Sequence, residues 1–463
     1  MRWLTVLFLV ASLSARAQSG ADALIGLAQH YYNAGQPDSL YDRLAPTFQQ
    51  QLPRSNWRSF LTQVYQQAGH WQASAYVGQR QGFALYKGFF QRDTLLVRLS
   101  ANAAGQLTGF GMAPYTAPRP LRTDNPLRTP LDRQIDSLVR AHQERQAVVG
   151  LCIGLIRHDS LLAYHYGETR AGNSQLPTDL SLFEIGSVTK TFTATLLAEA
   201  IRQRKLTLDT PVNRFLPDSV PLLQRDGVSV TVGMLANHTS GLPRLPTNLS
   251  VAGYSEADPY RTYDRQALFS YLRTATLAST PGTTYAYSNL GAGLLGTLLE
   301  TVLGQPYDQL VRRYLTKPLG MPHTSLHLSA ADNTLLARGH NEQGQVVSNW
   351  LFQALAGGGG LRSNLRDMLR YLRAELGKAP ASLRADIVQT QQLSLQRGTR
   401  QVGLGWHRRL IGAAPWWFHD GGTGGYVSFV GFSTDRQVGV VILSNSNEPI
   451  DALAIQLGSL ADR

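Results

Sequence analysis

Apolar positions change period partway through the first hundred residues. Between Ala21 and Tyr32, the apolar Leu24, Ile25, Leu27 and Ala28 recur at the three-to-four spacing of a helix face. Two further helical segments are predicted near Ser39–Gln49 and Asn56–Ala68. Strand-like stretches then follow near Trp71–Tyr76, Gly82–Phe90, Thr94–Leu99 and Gln106–Gly111. Helices first and a short antiparallel sheet afterwards predict a small α+β domain over residues 18–112. Five prolines (Pro114, Pro118, Pro120, Pro126 and Pro130) then mark residues 113–130 as an extended linker.

From residue 131 the pattern describes a second domain, 131–463. A helix, Leu131–Arg145, leads into the apolar run Val148–Arg157, a His158-Asp159 turn and Leu161–Gly167, together a predicted β-hairpin. A long helical middle follows. Strands return near Val402–Arg408, Trp416–His419, Tyr426–Phe432 and Gln437–Leu443, and a last helix is predicted over Ile450–Leu460. Strands at both ends imply one antiparallel sheet closed by the first and last segments, with the helical middle covering one face. The fold class is again α+β.

Composition narrows the setting. With 43% apolar and 16% charged residues the 463-residue chain can build packed cores, which excludes wholesale disorder. Met1-Arg2-Trp3, the apolar Leu4–Leu13 and the small-x-small site Ala15-Arg16-Ala17 read as a signal peptide over residues 1–17. The chain is thus expected to be exported, to the periplasm or beyond. No later apolar run approaches the roughly 20 residues of a membrane helix, so the mature chain is expected to have no transmembrane segment. The single cysteine, Cys152, cannot form an internal disulfide and reads as a buried strand residue. The net charge of +12 is spread along the chain without a basic stripe. Nucleic acid therefore has no motif behind it, whereas anionic envelope polymers remain possible partners.

Three short segments carry the chemistry. Ser187 precedes the apolar helical pattern Phe192, Leu196, Leu197, Ala200 and Ile201, which places it in the first turn of a buried helix, where unpaired N–H groups favour negative charge. Lys190, one of only five lysines, lies three residues on and shares its face. A lysine in an apolar helix is costly unless paired or neutral, and a serine–lysine pair is what an activated nucleophile requires. Tyr287-Ser288-Asn289, before the apolar Leu290–Leu303, could bring a phenol and an amide to a cleft. His419-Asp420-Gly421-Gly422-Thr423-Gly424-Gly425 lies between two strands, where glycines let a backbone approach a ligand and free N–H groups for an oxyanion. Tyr31-Tyr32-Asn33 and His165-Tyr166-Gly167 repeat two of these patterns but read as structural. His238 is expected to hold a loop, Glu184 to join an ion pair, and Gly357–Gly360 to pack backbone beside the site.

In this order, Ser187-x-x-Lys190, Tyr287-x-Asn289 and His419-x-Gly421 resemble the three motifs of the penicillin-recognising serine hydrolases. That superfamily includes class C β-lactamases, D-Ala-D-Ala carboxypeptidases, D-aminopeptidases and related esterases. Asn237-His238-Thr239-Ser240-Gly241-Leu242-Pro243, Pro318-Leu319-Gly320-Met321 and Gly403-Leu404-Gly405-Trp406 support the likeness, which covers residues 131–463. The preceding unit is similar in element order to cystatin-like or NTF2-like domains. The resemblance implies acyl transfer to small-molecule or peptide substrates with amide or ester bonds, and no metal or other cofactor. Ser187 would attack, and either Tyr287 (its proton affinity lowered by Lys190) or Lys190 itself would take the proton. Asn289, His419 and Gly421 would orient substrate, and the N–H groups of Ser187 and Gly422 would form the oxyanion hole. β-Lactamase activity and a silent penicillin-binding or envelope-sensing role are the alternatives. One departure bears on substrate: Asp420 stands where these relatives generally carry Thr or Ser, whose hydroxyl helps hold a substrate carboxylate. That favours substrates lacking a free carboxylate beside the scissile bond, provided Asp420 faces the cleft.

Overall fold

The computed structural model describes residues 21–80, 82–115, 121–145, 148–158 and 160–462. The expected signal peptide lies outside them, as do Pro118 and Pro120 of the expected linker and Asp159 of the expected turn. The chain divides into two compact units, Met1–Arg119 and Pro120–Arg463.

In the first unit, α1 (residues 21–33) and α2 (Arg54–Ala68) precede β1 (Trp71–Arg80), β2 (Phe83–Phe90), β3 (Thr94–Ala101) and β4 (Leu107–Pro114). The strands pair antiparallel in sequence order. Trp57, Trp71, Tyr86 and Phe90 form the buried centre, with Trp71 and Phe90 stacked at 5.1 Å. The helix expected over Ser39–Gln49 is instead two short ones, Pro37–Tyr41 and Pro46–Gln51. Pro46 has no N–H to continue a helix and a φ suited to starting one. The break is held by Ala45 N–H donating to the Leu107 carbonyl at 2.8 Å.

The second unit opens with α3 (Pro130–Arg145), β5 (Gly150–Arg157) and β6 (Ser160–Gly167). The middle supplies β7 (Leu182–Glu184), α4 (Thr189–Arg202), α5 (Asn289–Leu303), β8 (Arg362–Asn364) and α6 (Leu365–Arg373). The end supplies β9 (Leu395–Arg397), β10 (Arg400–Val402), β11 (His407–Ile411), β12 (Ala414–Gly422), β13 (Val427–Ser433), β14 (Val438–Ser444) and α7 (Asp451–Ala461). Eight strands form one sheet in the order β9-β10-β11-β12-β13-β14-β5-β6, each neighbouring pair antiparallel. The first hairpin thus lies beside the last strand, the closure expected from strands at both ends of the domain.

Both faces of this sheet are covered, which is why its central strands are apolar throughout rather than alternating. Ile153, Val440 and Ile442 meet Ile135 and Val139 of α3 and Leu453 and Leu457 of α7. On the other face, Cys152, Val441 and Leu443 join the larger core with Phe192, Leu197 and the helical middle. Burial pushes the Cys152 thiol far above its usual range, so it is a packing residue.

The strand expected over Val402–Arg408 is split. Gly403–Trp406 turn between β10 and β11, with Gly405 at φ +69, and a side chain at Gly405 would come within 2.6 Å of the Lys190 carbonyl. Close packing of this turn on α4 overrides strand continuity. No helix among the described residues is long and apolar enough to cross a membrane.

Candidate active site

Ser187 occupies a 3-10 turn, Gly186–Val188, that runs directly into α4. It therefore precedes the α-helical first turn in which the sequence pattern placed it. Two contacts fix this turn against the sheet. Ser428 Oγ donates to the Ile185 carbonyl at 2.8 Å, and Gly421 lies so close that a Cβ there would meet the same oxygen at 2.1 Å. Gly186, at φ +47, faces the Gly422 amide.

Lys190 projects from α4 with 2% of its surface exposed. Its Nζ lies 2.8 Å from Ser187 Oγ, 2.9 Å from Asn289 Oδ1 and 2.5 Å from the Gly358 carbonyl. Burial lowers its pKa to about 7; the Arg244 charge acts in the same direction and Asp420 in the opposite one. The amine can thus lose its proton near neutrality. The expected close packing of the glycine run is present: Gly357 meets Gly296 of α5 backbone to backbone, which brings the Gly358 carbonyl to Lys190.

Tyr287 and Asn289 flank the start of α5, whose N-cap Ser288 accepts the Gly291 N–H and donates to the Pro243 carbonyl at 2.6 Å. The Lys190 ammonium position lies 4.9 Å from the Tyr287 ring centroid. Burial raises the phenol's proton affinity well above its ordinary value; Ser187 and Arg244 oppose this without reversing it. The lowered affinity expected from the resemblance is therefore not what this environment produces. His238, buried at φ +63, accepts the Ser288 N–H through Nδ1 at 3.2 Å and sets its ring 4.4 Å from Tyr287. It holds the loop, as expected.

His419 comes from β12 and is fully enclosed. Its Nδ1 lies 2.6 Å from the Asp420 carbonyl, which can only accept, so Nδ1 carries the proton and Nε2 is left as a buried acceptor without a hydrogen-bond partner among the described residues. Burial keeps the ring neutral. Its centroid is 6.2 Å from Tyr287 and 5.1 Å from His407 of β11, whose pKa burial lowers to about 4. Asp420 follows the strand alternation to the face opposite His419, so it does not face the cleft and the expected preference for substrates lacking a carboxylate loses its basis; its side chain is exposed, with no hydrogen bond or ion pair to a described residue. Its charge still acts on Lys190 and Tyr287.

Beside Ser187 opens a cleft, with ≈ 290 Å³ of empty space that includes open solvent, lined by Ser187, Asn289, Gly358, Gly422 and an aromatic wall of Tyr260, Trp350 and Phe352. Tyr260 stacks on Phe352 at 4.3 Å. Glu184 joins the expected ion pair. It meets Arg362 at 3.2 Å, both nearly fully buried, and accepts the Trp350 N–H at 2.9 Å, which anchors the aromatic wall. Arg244, His407 and the aromatic wall escaped the sequence reading. The first two directly follow Pro243 and Trp406, each the last residue of a segment singled out there. The wall is assembled from positions far apart in the chain and has no local signal. Among the described residues, no cluster of three or more His, Cys, Asp or Glu could hold a metal.

The family model described as Beta-lactamase matches residues 135–462. A "Beta-lactamase" of Providencia stuartii is 31% identical over 246 residues, which are 53% of this chain and 60% of that protein. The "D-alanyl-D-alanine-carboxypeptidase/endopeptidase AmpH" of Escherichia coli (strain K12) is 28% identical over 309 residues, 64% of this chain and 78% of that protein. Among solved structures, the D-alanine carboxypeptidase AmpC from Burkholderia cenocepacia superposes with a TM-score of 0.62 at 26% identity, covering 71% of this chain and 99% of that one.

Proposed function

The chain belongs to the Beta-lactamase family of serine hydrolases, and from that premise we propose that Ser187 is its nucleophile and neutral Lys190 the base that activates it. One observation carries this assignment. Asn289 Oδ1 and the Gly358 carbonyl can only accept, so they take the two N–H bonds of a neutral amine, and its lone pair is left for the Ser187 O–H. In acylation, Ser187 Oγ bonds to the substrate carbonyl carbon while its proton passes to Lys190. The N–H groups of Ser187 and Gly422 would hold the oxyanion. Tyr287, kept protonated by burial, is suited to give its proton to the departing amine or alcohol, and Lys190 would then restore it. Water releases the acyl group by the same steps in reverse order, returning the proton to Ser187.

The substrates proposed are amides or esters, including D-amino-acid peptides, acted on by an exported enzyme. β-Lactam hydrolysis is the second reading, favoured by the β-lactamase names among the relatives. Turnover of 4-nitrophenyl acetate and of benzylpenicillin by wild type and Ser187→Ala tests both. The proposal expects ester turnover that vanishes in Ser187→Ala; activity surviving the substitution would overturn it, and the rate on penicillin relative to the ester decides between the readings.

A further inference from the structure

Arg244 stands beside Tyr287 with no acidic partner among the described residues. Its guanidinium carbon lies 5.2 Å from the centroid of the Tyr287 ring, and the side chain is exposed. Four other arginines of this unit are paired with acids: Arg202 with Glu199 and Asp386, Arg261 with Asp258, Arg265 with Glu300, and Arg362 with Glu184. Arg244 forms no ion pair or side-chain hydrogen bond with a described residue. Stacking on a tyrosine steadies a cation without neutralising it. The backbone beneath is fixed, since the Arg244 carbonyl accepts the N–H groups of Asn289 and Leu290 at 3.0 and 3.1 Å. The Arg244 backbone is thus tied to the start of α5, which follows Tyr287.

The charge is directed inward. It acts on Lys190, His238, Tyr260 and Tyr287, the helical side of the cleft. Asp420 acts on His407 and Tyr285, the sheet side, besides reaching Lys190 and Tyr287. Arg400 lies 4.2 Å from the Tyr285 ring, on which Asp420 also acts, and Arg408 and Arg409 lie over Trp417 and Phe418 of the sheet. Among these guanidinium groups, Arg244 is the one that lies over the ring of Tyr287, which Lys190 also approaches.

We infer that Arg244 is a specificity-determining residue that binds a carboxylate carried by the substrate along the helical wall, next to an apolar or aromatic group seated on Tyr260, Trp350 and Phe352. Guanidinium groups bind carboxylates through two parallel N–H bonds, and a steadied fork loses little freedom on doing so. This deepens the hydrolase reading and rests on it for the word substrate, but the binding itself needs no chemistry at Ser187.

Calorimetric titration with 4-phenylbutyrate and its neutral counterpart 4-phenylbutyramide tests it, in wild type, Ser187→Ala, Arg244→Gln and Arg244→Lys, each confirmed folded by circular dichroism. Wild type and Ser187→Ala bind the acid roughly tenfold more tightly than the amide. Arg244→Lys keeps part of that preference and Arg244→Gln loses it. Equal affinities in wild type, no binding of the acid, or an acid preference that survives in Arg244→Gln would overturn the inference. Because Ser187→Ala gives the same readout, a failure of the nucleophile assignment would be seen separately.

Discussion

The Lys190 amine lies 2.8 Å from the Ser187 hydroxyl, and its other two partners are carbonyl oxygens that can only accept. A protonated lysine would satisfy all three contacts as donor and leave the serine inert. A neutral one satisfies the two carbonyls and turns its lone pair to Ser187. The protonation state of one buried amine thus separates a resting pair from a reactive one.

The pH dependence follows from this. Burial lowers the Lys190 pKa to about 7, and a base works only when deprotonated. We expect kcat/KM for a neutral ester to fall below pH 7 and to level off above it. Lys190→Met, which keeps the length but not the lone pair, is expected to lose about 10²–10⁴-fold in kcat/KM. Stopped-flow or plate-reader rates from pH 5 to 9 provide the check.

The Arg244 charge contributes to that lowered pKa, after burial. Removing a cation makes it easier to protonate the neighbouring amine. Arg244→Gln should therefore move the acid limb of the kcat/KM profile above its wild-type position, and an unshifted or downward-moved limb would count against the electrostatic assignment.

Gly421 is pressed against the Ile185 carbonyl, where a Cβ would sit at 2.1 Å. That oxygen belongs to the backbone and cannot rotate aside, so the strand must move away from the turn carrying Ser187. Gly421→Ala is expected to lower kcat/KM by at least tenfold and to cost about 1–3 kcal/mol of stability. Ester kinetics and urea unfolding measure the two effects.

Glu184 and Arg362 are an ion pair at 3.2 Å with both side chains almost fully buried. Removing one partner strands the other charge in the core, at a cost of about 3–5 kcal/mol. Arg362→Met should lower the melting temperature by several degrees and release the Trp350 N–H that Glu184 holds, weakening the aromatic wall. Differential scanning calorimetry together with Trp fluorescence would detect it.

Asp420 points to the sheet face opposite His419 yet acts on Lys190 and Tyr287 through space. Because Asp420 does not face the cleft, Asp420→Asn is expected to change acylation by benzylpenicillin and by a neutral ester by the same factor. A selective gain with benzylpenicillin would return Asp420 to the specificity argument.

Much of this arrangement was legible in the sequence because its parts are local. Ser187 and Lys190 sit one helical turn apart, and Tyr287 and Asn289 straddle a helix start. The β5–β6 hairpin and β14 are apolar runs whose pairing follows from their covered faces. What was not legible depends on tertiary packing. The 402–408 run reads as one strand, but Gly405 must turn to pass the Lys190 carbonyl. Lys190's third partner, the Gly358 carbonyl, lies 168 residues away along the chain. The state of Tyr287 depends on how deeply it is buried, which no spacing records. Likewise, Tyr260, Trp350 and Phe352 meet only because the helical middle folds them onto one wall.

The central claim is that Ser187 carries the acyl group and Lys190 its proton. Acid-quenching the protein within milliseconds of mixing with an activated ester, at pH 8 and at pH 5.5, and mapping the peptides by mass spectrometry tests this most directly. The account predicts an acyl group on Ser187, formed much faster at pH 8 in excess of the reagent's intrinsic reactivity, and absent from Ser187→Ala. Acylation at another residue, or equal rates at the two pH values, would contradict it.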